Sequence, residues 1–384
     1  MARREVPMSV RRLIATVDTS TLNVSAFCRE HGIGRDAFYA VRRRFEAEGE
    51  AGLVPRSRAP QRVANRTSAA VEDLIVEIRK ELDGKGLDAG AETIAHWLAL
   101  RHSTEFVVPS PSTIWRVLSR RGFIVADPSK RPGRRWQRFA ADRANECWQA
   151  DVTHWPLADG TDVEIINVLD DCSRLAVRAD VVERATLAST WDAIAHGAAR
   201  YGWPERVLTD NGSVFGPTFH DNLATLGVHL GHSRPYHPQT CGKVERFHQT
   251  QKKWLAARDP AATITELQAV VDAFVDYYNQ QRPHRSLGRR TPQHVWDTTP
   301  RNGPADKPLG QPTVVHHNRV YDGVVWAGRY RITIGAAHND HDATVIITGS
   351  HGHVFVKGHL ARDLTIDPTR SNQPLHGRPG RPTQ

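Results

Sequence analysis

The strongest constraint on how this chain can fold is the order of its apolar runs between residues 147 and 279. Three β-rich runs come first, at 147–154, 163–169 and 175–182. Helical and strand-like segments then alternate, with helices predicted at 186–200, 217–226, 242–257 and 265–279 and short strands at 206–209 and 228–232. This order is typical of a mixed α/β sheet with helices packed against it. Thr265 is predicted to cap the last of these helices.

Three acidic residues occupy positions in this region where a ligand site is expected. Asp151 lies within the first predicted strand, Asp210 directly follows the strand at 206–209, and Glu245 lies in the first turns of the helix at 242–257. Ligands collect at strand ends in α/β folds, and Mg²⁺ prefers carboxylate oxygens. Two such ions about 4 Å apart can clamp the attacking and leaving oxygens of a phosphodiester displacement. If the three side chains converge, the chain cuts or joins nucleic acid.

Each of these acids alone also has a structural explanation. Aspartate before Asn-Gly is a common turn residue, and glutamate near a helix start is common capping chemistry. The hypothesis of a metal site therefore rests on the three acids together. Helical spacing places His248 and Lys252 near the face that carries Glu245. The imidazole of His248 can then approach the site, and the charge of Lys252 can meet a phosphate.

Ahead of this region, residues 9–50 are predicted to form short helices. A helix at 24–31 is followed by Gly32 and Gly34 and then by a second, arginine-rich helix at 35–45. This is the arrangement of a helix-turn-helix motif, in which the second helix enters the major groove of DNA. An ordinary helical hairpin with a solvated basic face fits the same residues.

A second helical block follows a polar linker. Helices are predicted at 70–82, 94–100 and 112–118, and Ser110 gives the last of them a capped start. Three such helices indicate either a second DNA-binding unit or a spacer bundle. A basic, proline-containing stretch then leads to the α/β region, and it includes Arg134 and Arg135.

The charge balance and the cysteines bear on the partner and the compartment. The chain has 51 basic and 42 acidic residues, a net charge of +9 and a pI of about 9.6, which fits a polyanionic partner. The sequence has no signal peptide and no apolar run approaching the ~18 residues of a membrane span. Its four cysteines are scattered and suggest no disulfide framework. We therefore expect a cytoplasmic protein, associated with the nucleoid through DNA and not with a membrane.

The C-terminal pattern is all-β. Candidate strands lie at 313–315, 324–326, 329–334, 345–347 and 354–356. Short strands with glycine, asparagine and aspartate turns are typical of a small barrel. The polar segment at 338–342 is predicted to be a hairpin loop, and His351 and His353 to be surface residues. The last residues, 368–384, are rich in proline and glycine and are predicted to be disordered.

Several motifs of the α/β region resemble a known family, the DDE transposases and retroviral-type integrases. The matching residues are 148–153, 208–215, 232–248, 278–287 and 291–292. The resemblance covers about residues 141–300 and is greatest to bacterial insertion-sequence transposases with an integrase core and helix-turn-helix units ahead of it. It implies an RNase H-like fold.

The resemblance also implies roles for individual residues. Asp151, Asp210 and Glu245 match the catalytic, metal-binding triad of the family, and Lys252 matches a lysine that contacts DNA near the site. Mg²⁺ is the implied cofactor, with Mn²⁺ as a substitute. Thirty-four residues separate Asp210 from Glu245 (245 − 210 − 1), one fewer than is usual in the family. Retroviral integrases also carry a His/Cys zinc site. Because Cys28 and His31 have no partner pair in the sequence, no zinc is predicted.

These expectations give a multidomain chain with helical N-terminal units, an RNase H-like α/β core and a small C-terminal β-barrel. The predicted division is 1–60, a helix-turn-helix domain; 66–124, a second helical DNA-binding domain; 125–140, a basic linker; 141–300, the catalytic core; 311–367, the barrel; and 368–384, the tail. The predicted DNA contacts are Lys252, Lys243, Arg246, Arg35, Arg42, Arg43, Arg134 and Arg135.

The main functional hypothesis is transposition. The chain would cut double-stranded DNA at the ends of an insertion sequence and transfer the freed strands into target DNA. A homo-oligomer is expected from the resemblance, because two DNA ends must be paired. Two alternatives remain open from the residues: a DNA-binding regulator or relic with an inactive core, and a nuclease that cuts but does not join.

Overall fold

The computed structural model describes residues 6–55, 66–125, 140–210, 212–232, 242–304 and 313–375. The chain divides into two compact units, Met1–Arg66 and Thr67–Gln384. The predicted DNA contacts Arg134 and Arg135 lie outside the described residues, as does the end of the tail at 376–384. Within the described ranges, no helix combines the length and the apolar character needed to cross a bilayer.

The smaller unit is a three-helix bundle. Its helices are α1 (Met8–Thr16), α2 (Val24–Glu30) and α3 (Arg35–Glu48), followed by a 3₁₀ turn at Gly49–Leu53. Ile14 and Phe38 are fully buried at its centre. The side chain of Asn23 accepts a hydrogen bond from the backbone N–H of Ala26 and so caps α2. Gly32 has a φ of +63° in the turn before α3, and the prediction of two helices joined by a glycine turn is confirmed.

The larger unit begins with the second helical block. Its helices are α4 (Ala69–Gly84), α5 (Ala91–His102) and α6 (Pro111–Arg120). Ser110 caps α6 as predicted, because its side chain accepts a hydrogen bond from the N–H of Thr113. These three helices are not separate from the α/β region. Ile75 and Leu98 belong to the same apolar cluster as Phe274 of that region.

The α/β region contains a five-stranded mixed sheet in the order β3-β2-β1-β4-β5. The strands are β1 (Cys147–Pro156), β2 (Asp162–Asp170), β3 (Ala176–Val182), β4 (Arg206–Thr209) and β5 (His229–His232). The helices are α7 (Leu187–Tyr201), α8 (Pro217–Thr225), α9 (Gly242–Ala256), α10 (Ile264–Gln280) and α11 (Pro292–Thr298), with 3₁₀ turns at Ser213–Phe215 and Arg285–Leu287. Strands β1, β2 and β3 are antiparallel, whereas β4 runs parallel to β1 and β5 parallel to β4. The predicted mixed α/β sheet is confirmed.

Apolar clusters cover both faces of this sheet, which explains why β2 is a nearly continuous apolar run. Ile165 of β2 packs in the cluster that contains Phe247 and Phe274, on the side of α9 and α10. Val168 packs in the other cluster, with Trp191 of α7.

The C-terminal region is all-β, as predicted. Its strands are β6 (Thr313–Arg319), β7 (Val324–Ala327), β8 (Tyr330–Thr333), β9 (Asp342–Thr348), β10 (His351–Val356), β11 (His359–Thr365) and β12 (Asn372–Gln373), with a 3₁₀ turn at Ala336–His338. They form a four-stranded sheet in the order β11-β10-β9-β6 and a three-stranded sheet in the order β12-β8-β7. Phe355 packs against Trp191 of the α/β region with ring centroids 4.6 Å apart.

Three local predictions were wrong. Helix α10 is capped by Thr263, whose side chain accepts from the N–H of Glu266, and not by Thr265. His353 is only 3% exposed, because β10 is an inner strand of its sheet. Residues 368–375 of the predicted disordered tail are ordered, since β12 pairs with β8 and the buried Gln373 side chain bonds to the backbone of Asp367.

Candidate active site

The pairing of β1 with β4 brings two of the predicted site residues side by side. The last pair of this parallel ladder joins Ala150 to Thr209. Asp151 and Asp210 are the next residues of the two chains, so they lie at neighbouring positions where β4 ends. Parallel strands place residues that follow the same rung at the same edge of a sheet.

The backbone after β4 turns under the control of Asp210 itself. Its Oδ1 accepts a hydrogen bond of 2.9 Å from the N–H of Gly212, an Asx-type turn. A Cβ atom at position 212 would come within 2.9 Å of the same oxygen. Glycine therefore lets the backbone approach the carboxylate closely. This close approach explains why a glycine stands two residues after Asp210.

Helix α9 carries the third acid on its exposed side. The buried face of α9 is formed by Val244, Phe247, Gln251, Trp254 and Leu255, at the spacing of an amphipathic helix. This face packs on β1 and β2. Glu245 and Lys252 are exposed.

A buried amide pair anchors α9 to the sheet. Asn167 Nδ2 donates to Gln251 Oε1 at 3.2 Å, and Gln251 Nε2 donates to Asn167 Oδ1 at 3.0 Å. Both side chains are fully buried. Asn167 is also the β2 residue that pairs with Asp151 of β1. The anchor of the helix is therefore attached to the sheet directly beside Asp151.

An ion pair holds the beginning of the same helix. Lys243 Nζ contacts both carboxylate oxygens of Asp171. Asp171 also accepts from Gln149 Nε2 at 2.6 Å and from the N–H of Ala141 at 2.7 Å. Burial lowers the pKa of Lys243, and the adjacent carboxylate opposes that effect. In the structure the charge of Lys243 holds α9, because Asp171 is buried and needs a cation. The contact of Lys243 with DNA stays a prediction.

Neither Asn167 nor the pair Asp170 and Asp171 was singled out in the sequence. A signal was present, since Asn167 interrupts an apolar run and the two aspartates end it. Burial raises the pKa of Asp170 to about 6 despite hydrogen bonds from Ser173 and Asn145. Asn167 and Asp171 support the site by holding α9 on the sheet, Asn167 through Gln251 and Asp171 through Lys243.

The electrostatics show that the other two acids act on Asp151. The pKa of Asp151 is raised to about 6, first by burial and further by the negative charges of Asp210 and Glu245, against the lowering effect of the Val152 N–H. Each carboxylate therefore lies within electrostatic range of Asp151. Negative charge is therefore concentrated around Asp151, whose carboxyl group is largely buried.

His248 adds no compensating charge at neutral pH. Its Nδ1 lies 3.7 Å from Asp151 Oδ2, as the helical spacing suggested. Burial, with a smaller contribution from the positive charge of Lys252, lowers the pKa of His248 to about 4. The imidazole is therefore neutral near pH 7.

The donor set fits a hard divalent cation. Carboxylate oxygens are the ligands that Mg²⁺ prefers, and a cation would offset both the burial and the repulsion that raise the pKa of Asp151. Across the ranges that the structure describes, no three His, Cys, Asp or Glu side chains lie close enough to hold a metal ion as they stand. The side chains would have to close around a cation.

The other predicted DNA contacts divide into two groups. Arg35 and Arg43 are exposed on α3, and Arg246 is exposed on α9 beside Glu245. Arg42 instead points into the smaller unit, where Nη1 donates to the carbonyl oxygens of Ile14 at 3.1 Å and Val17 at 2.9 Å. The structure therefore gives Arg42 the task of joining α3 to α1 rather than a place on the exposed face.

Models of known families match along most of the chain. Integrase core domain models match residues 141–238 and 226–292. A helix-turn-helix domain model matches residues 12–61, and a homeodomain-like domain model matches residues 37–118.

Among known proteins, an uncharacterized 31.7 kDa protein of insertion element IS407 from Burkholderia multivorans is 30% identical over 185 residues. That alignment covers 47% of this chain and 66% of the relative. Transposase InsD of insertion element IS2 from Escherichia coli is 24% identical over 225 residues, 55% of this chain and 74% of the relative.

Among solved structures, the catalytic core domain of BIV integrase is 27% identical, with a TM-score of 0.33, and covers 40% of this chain and 93% of that one. The simian T-cell lymphotropic virus intasome is 18% identical, with a TM-score of 0.39, and covers 71% of this chain and 99% of that one. The domain matches and the transposase relatives agree with the motifs around the three acids. The chain belongs to the family of DDE transposases and retroviral-type integrases, whose members act in DNA integration and transposition.

Proposed function

We propose that this chain is a transposase that cuts DNA at the ends of its own element and joins the freed 3′ ends to target DNA. One observation carries the proposal. Two acids at the end of a parallel strand pair and one acid on a docked helix come close enough that Asp210 and Glu245 raise the pKa of Asp151. Such an arrangement suits two-metal phosphodiester chemistry.

The three acids have distinct roles in this proposal. Asp151, Asp210 and Glu245 are the metal-binding and catalytic residues, with Mg²⁺ as the cofactor and Mn²⁺ as a substitute. When bound, the ions activate the attacking oxygen and stabilise the leaving one. Asp151 is the central ligand because both other charges act on it. It must be ionised to bind a cation, which its pKa of about 6 allows at neutral pH.

Neighbouring residues position the acids and the DNA. The neutral imidazole of His248 lies beside Asp151 and adds no positive charge to compete with a cation. The exposed side chains of Lys252 and Arg246 on α9 contact the phosphates that flank the cut. Phosphate contacts of this kind fix the register of DNA without reading its sequence.

The helical segments at 1–60 and 66–124 recognise double-stranded DNA at the element ends, with Arg35 and Arg43 on the exposed side of α3. Residues 125–140, with Arg134 and Arg135, add a basic connection to the core at 141–300. The C-terminal segment at 311–367 forms a small barrel. A homo-oligomer pairs the two ends.

The test is a cleavage and joining assay on labelled DNA from the flanks of the gene, with Mg²⁺ or Mn²⁺. Wild type is compared with Glu245→Gln and with a matched control, Asp221→Asn, whose carboxyl lies on α8 and is 80% exposed. We expect metal-dependent cutting and joining in wild type and in the control, and loss of both in Glu245→Gln.

Two results would contradict the proposal. Binding to the element ends without chemistry in either metal would indicate a regulator or an inactive relic. Cutting without any joined product would indicate a nuclease.

A further inference from the structure

A basic cleft of about 670 Å³ lies where the second helical block meets the α/β region. Its walls come from the start of α5, the start of α6, helix α9 and the segment after α10. The charged side chains of its lining are Asp88, Glu92, Arg116, Lys253, Arg282, Arg285 and Arg289. Basic groups therefore outnumber acidic groups, and the cleft has no part in the acidic site described above.

Most of the charges in the cleft already serve the fold. Arg282 Nε donates to Asp88 Oδ2 at 2.8 Å, and Arg289 Nη2 lies 2.6 Å from Glu92 Oε2. Lys253 Nζ donates to the carbonyl oxygen of Leu87 at 2.7 Å. These contacts hold the helical block on the core and use both acids of the lining.

Two arginines remain without such a use. Arg116 on α6 and Arg285 after α10 are exposed, and neither guanidinium has a hydrogen bond or an ion pair within the residues that the structure describes. Both side chains belong to the lining of the same cleft, Arg116 from α6 and Arg285 from the segment after α10. Two uncompensated cations in one concave site attract an anionic ligand.

An exposed tryptophan belongs to the same lining. Trp115 lines the cleft and is 53% exposed, although α6 buries its apolar face through Ile114, Val117 and Leu118. The indole is therefore not needed to attach α6 to the core. An aromatic ring beside arginines is the combination that binds unpaired nucleotides, because the ring stacks on a base while the cations contact the phosphates.

We propose that this cleft binds a short stretch of unpaired DNA, with Trp115 stacked on a base and with Arg116 and Arg285 on the adjacent phosphates. The proposal rests on the proposed function for its choice of DNA as the ligand. A stacked base in the middle of a duplex has no free face for the indole, so an unpaired strand is required. The volume lies within the roughly 300–1,000 Å³ of small-ligand sites, which suits a few nucleotides and not a duplex.

The cleft is within reach of the acidic site along α9. Lys253, in the lining of the cleft, lies two helical turns beyond Glu245 on the same helix, about 12 Å along its axis. Helix α9 therefore connects a wall of the cleft to the turn that carries Glu245, and the proposal places the rest of the bound strand along this helix. The cleft would take the end of a strand that has separated from its complement.

The test measures binding of the full chain, without divalent metal, to a duplex with a 3′ overhang and to the same duplex with a blunt end. The overhang carries 2-aminopurine, whose fluorescence falls when it stacks on an indole. The variants are Trp115→Ala and Trp115→Phe. The matched control is Trp326→Ala, since Trp326 on β7 is 51% exposed. Melting temperatures of all variants report on folding.

We expect Trp115→Ala to weaken binding of the overhang about 5- to 150-fold, the range for loss of one stacked base. The quenching of 2-aminopurine at saturation should disappear. Trp115→Phe should retain most of the affinity, and the blunt duplex should respond little. The double variant Arg116→Ala/Arg285→Ala should reduce the slope of log K against log salt by about 1.4 for the overhang.

Equal affinity of wild type and Trp115→Ala for the overhang would overturn the proposal, as would an equal loss on overhang and blunt DNA. Wild type that binds both DNAs equally well would also overturn it. Failure of the proposed function gives a different result. A chain that binds the overhang through Trp115 but does not cut DNA would support the cleft proposal and contradict the transposase proposal.

Discussion

Replacing Asp151 by asparagine should stabilise the metal-free protein, and the effect should depend on pH. The pKa of this carboxyl is raised from 3.8 to about 6 in the folded chain. A raised pKa for an acid means that the fold disfavours its ionised form. The free energy of unfolding of wild type therefore falls as pH rises from about 4 to 6 on account of this group, and stays at the lower value above 6. A shift of about 2 pKa units corresponds to about 3 kcal/mol.

Asparagine cannot ionise, so Asp151→Asn avoids this cost. At pH 7.5 without metal, the variant should exceed wild type in free energy of unfolding by up to about 3 kcal/mol, and near pH 4 the two should agree. Mg²⁺ should narrow the gap at pH 7.5, because a cation that binds only the folded state stabilises it, and wild type alone keeps the central carboxylate.

Urea unfolding followed by tryptophan fluorescence provides the measurement. All ten tryptophans lie beyond residue 66, so the signal reports on the unit Thr67–Gln384. Asp221→Asn, at an exposed carboxyl on α8, is the control for removal of a charge. The reasoning is refuted if Asp151→Asn is less stable than wild type at pH 7.5, or if their difference is the same from pH 4 to 8.

Two further predictions concern how the helices dock. Gln251→Leu should lower the free energy of unfolding by about 1–3 kcal/mol, because it leaves the buried amide of Asn167 without its partner. Adding Asn167→Leu should recover much of this loss, and a double-mutant cycle with additive effects would contradict the coupling. Gly86→Ala should cost roughly 1–3 kcal/mol, because φ is +70° and a Cβ would lie 2.5 Å from the carbonyl oxygen of Lys253. Gly84→Ala, where a Cβ meets nothing within 4 Å, is its control, and equal melting temperatures for the two variants would count against the close contact.

The sequence predicts secondary structure well where a segment has a clear apolar pattern and poorly where a strand is mostly polar or very short. The five strands and most helices of the α/β region lie close to their predicted positions, because most of them bury an apolar face of their own. Strand β11 was not predicted, since it is an edge strand with mostly polar residues and only Leu364 buried. Strand β12 has two residues and exists only through its pairing with β8.

Charged residues show the limit of the sequence more clearly. Arg35, Arg42 and Arg43 are the same residue type on one helix. Arg42 nevertheless bonds to a backbone carbonyl of α1, whereas Arg35 and Arg43 are exposed. Likewise Lys243 and Lys252 lie on one helix, but a buried aspartate binds only the first. A side chain's partner depends on which distant segment packs beside it, and no local pattern contains that information.

The sequence by itself determined the order of helices and strands, the family, and the three acids whose surrounding motifs mark them as the candidate site. These properties are local, because periodicity and motif need only neighbouring residues. Tertiary structure alone decided that β4 pairs with β1 beside Asp151, that an amide pair and an ion pair hold α9 over the sheet, and that Trp115 and two arginines share a cleft. Pairing, burial and pKa depend on residues far apart in the chain, and these come together only when the core forms.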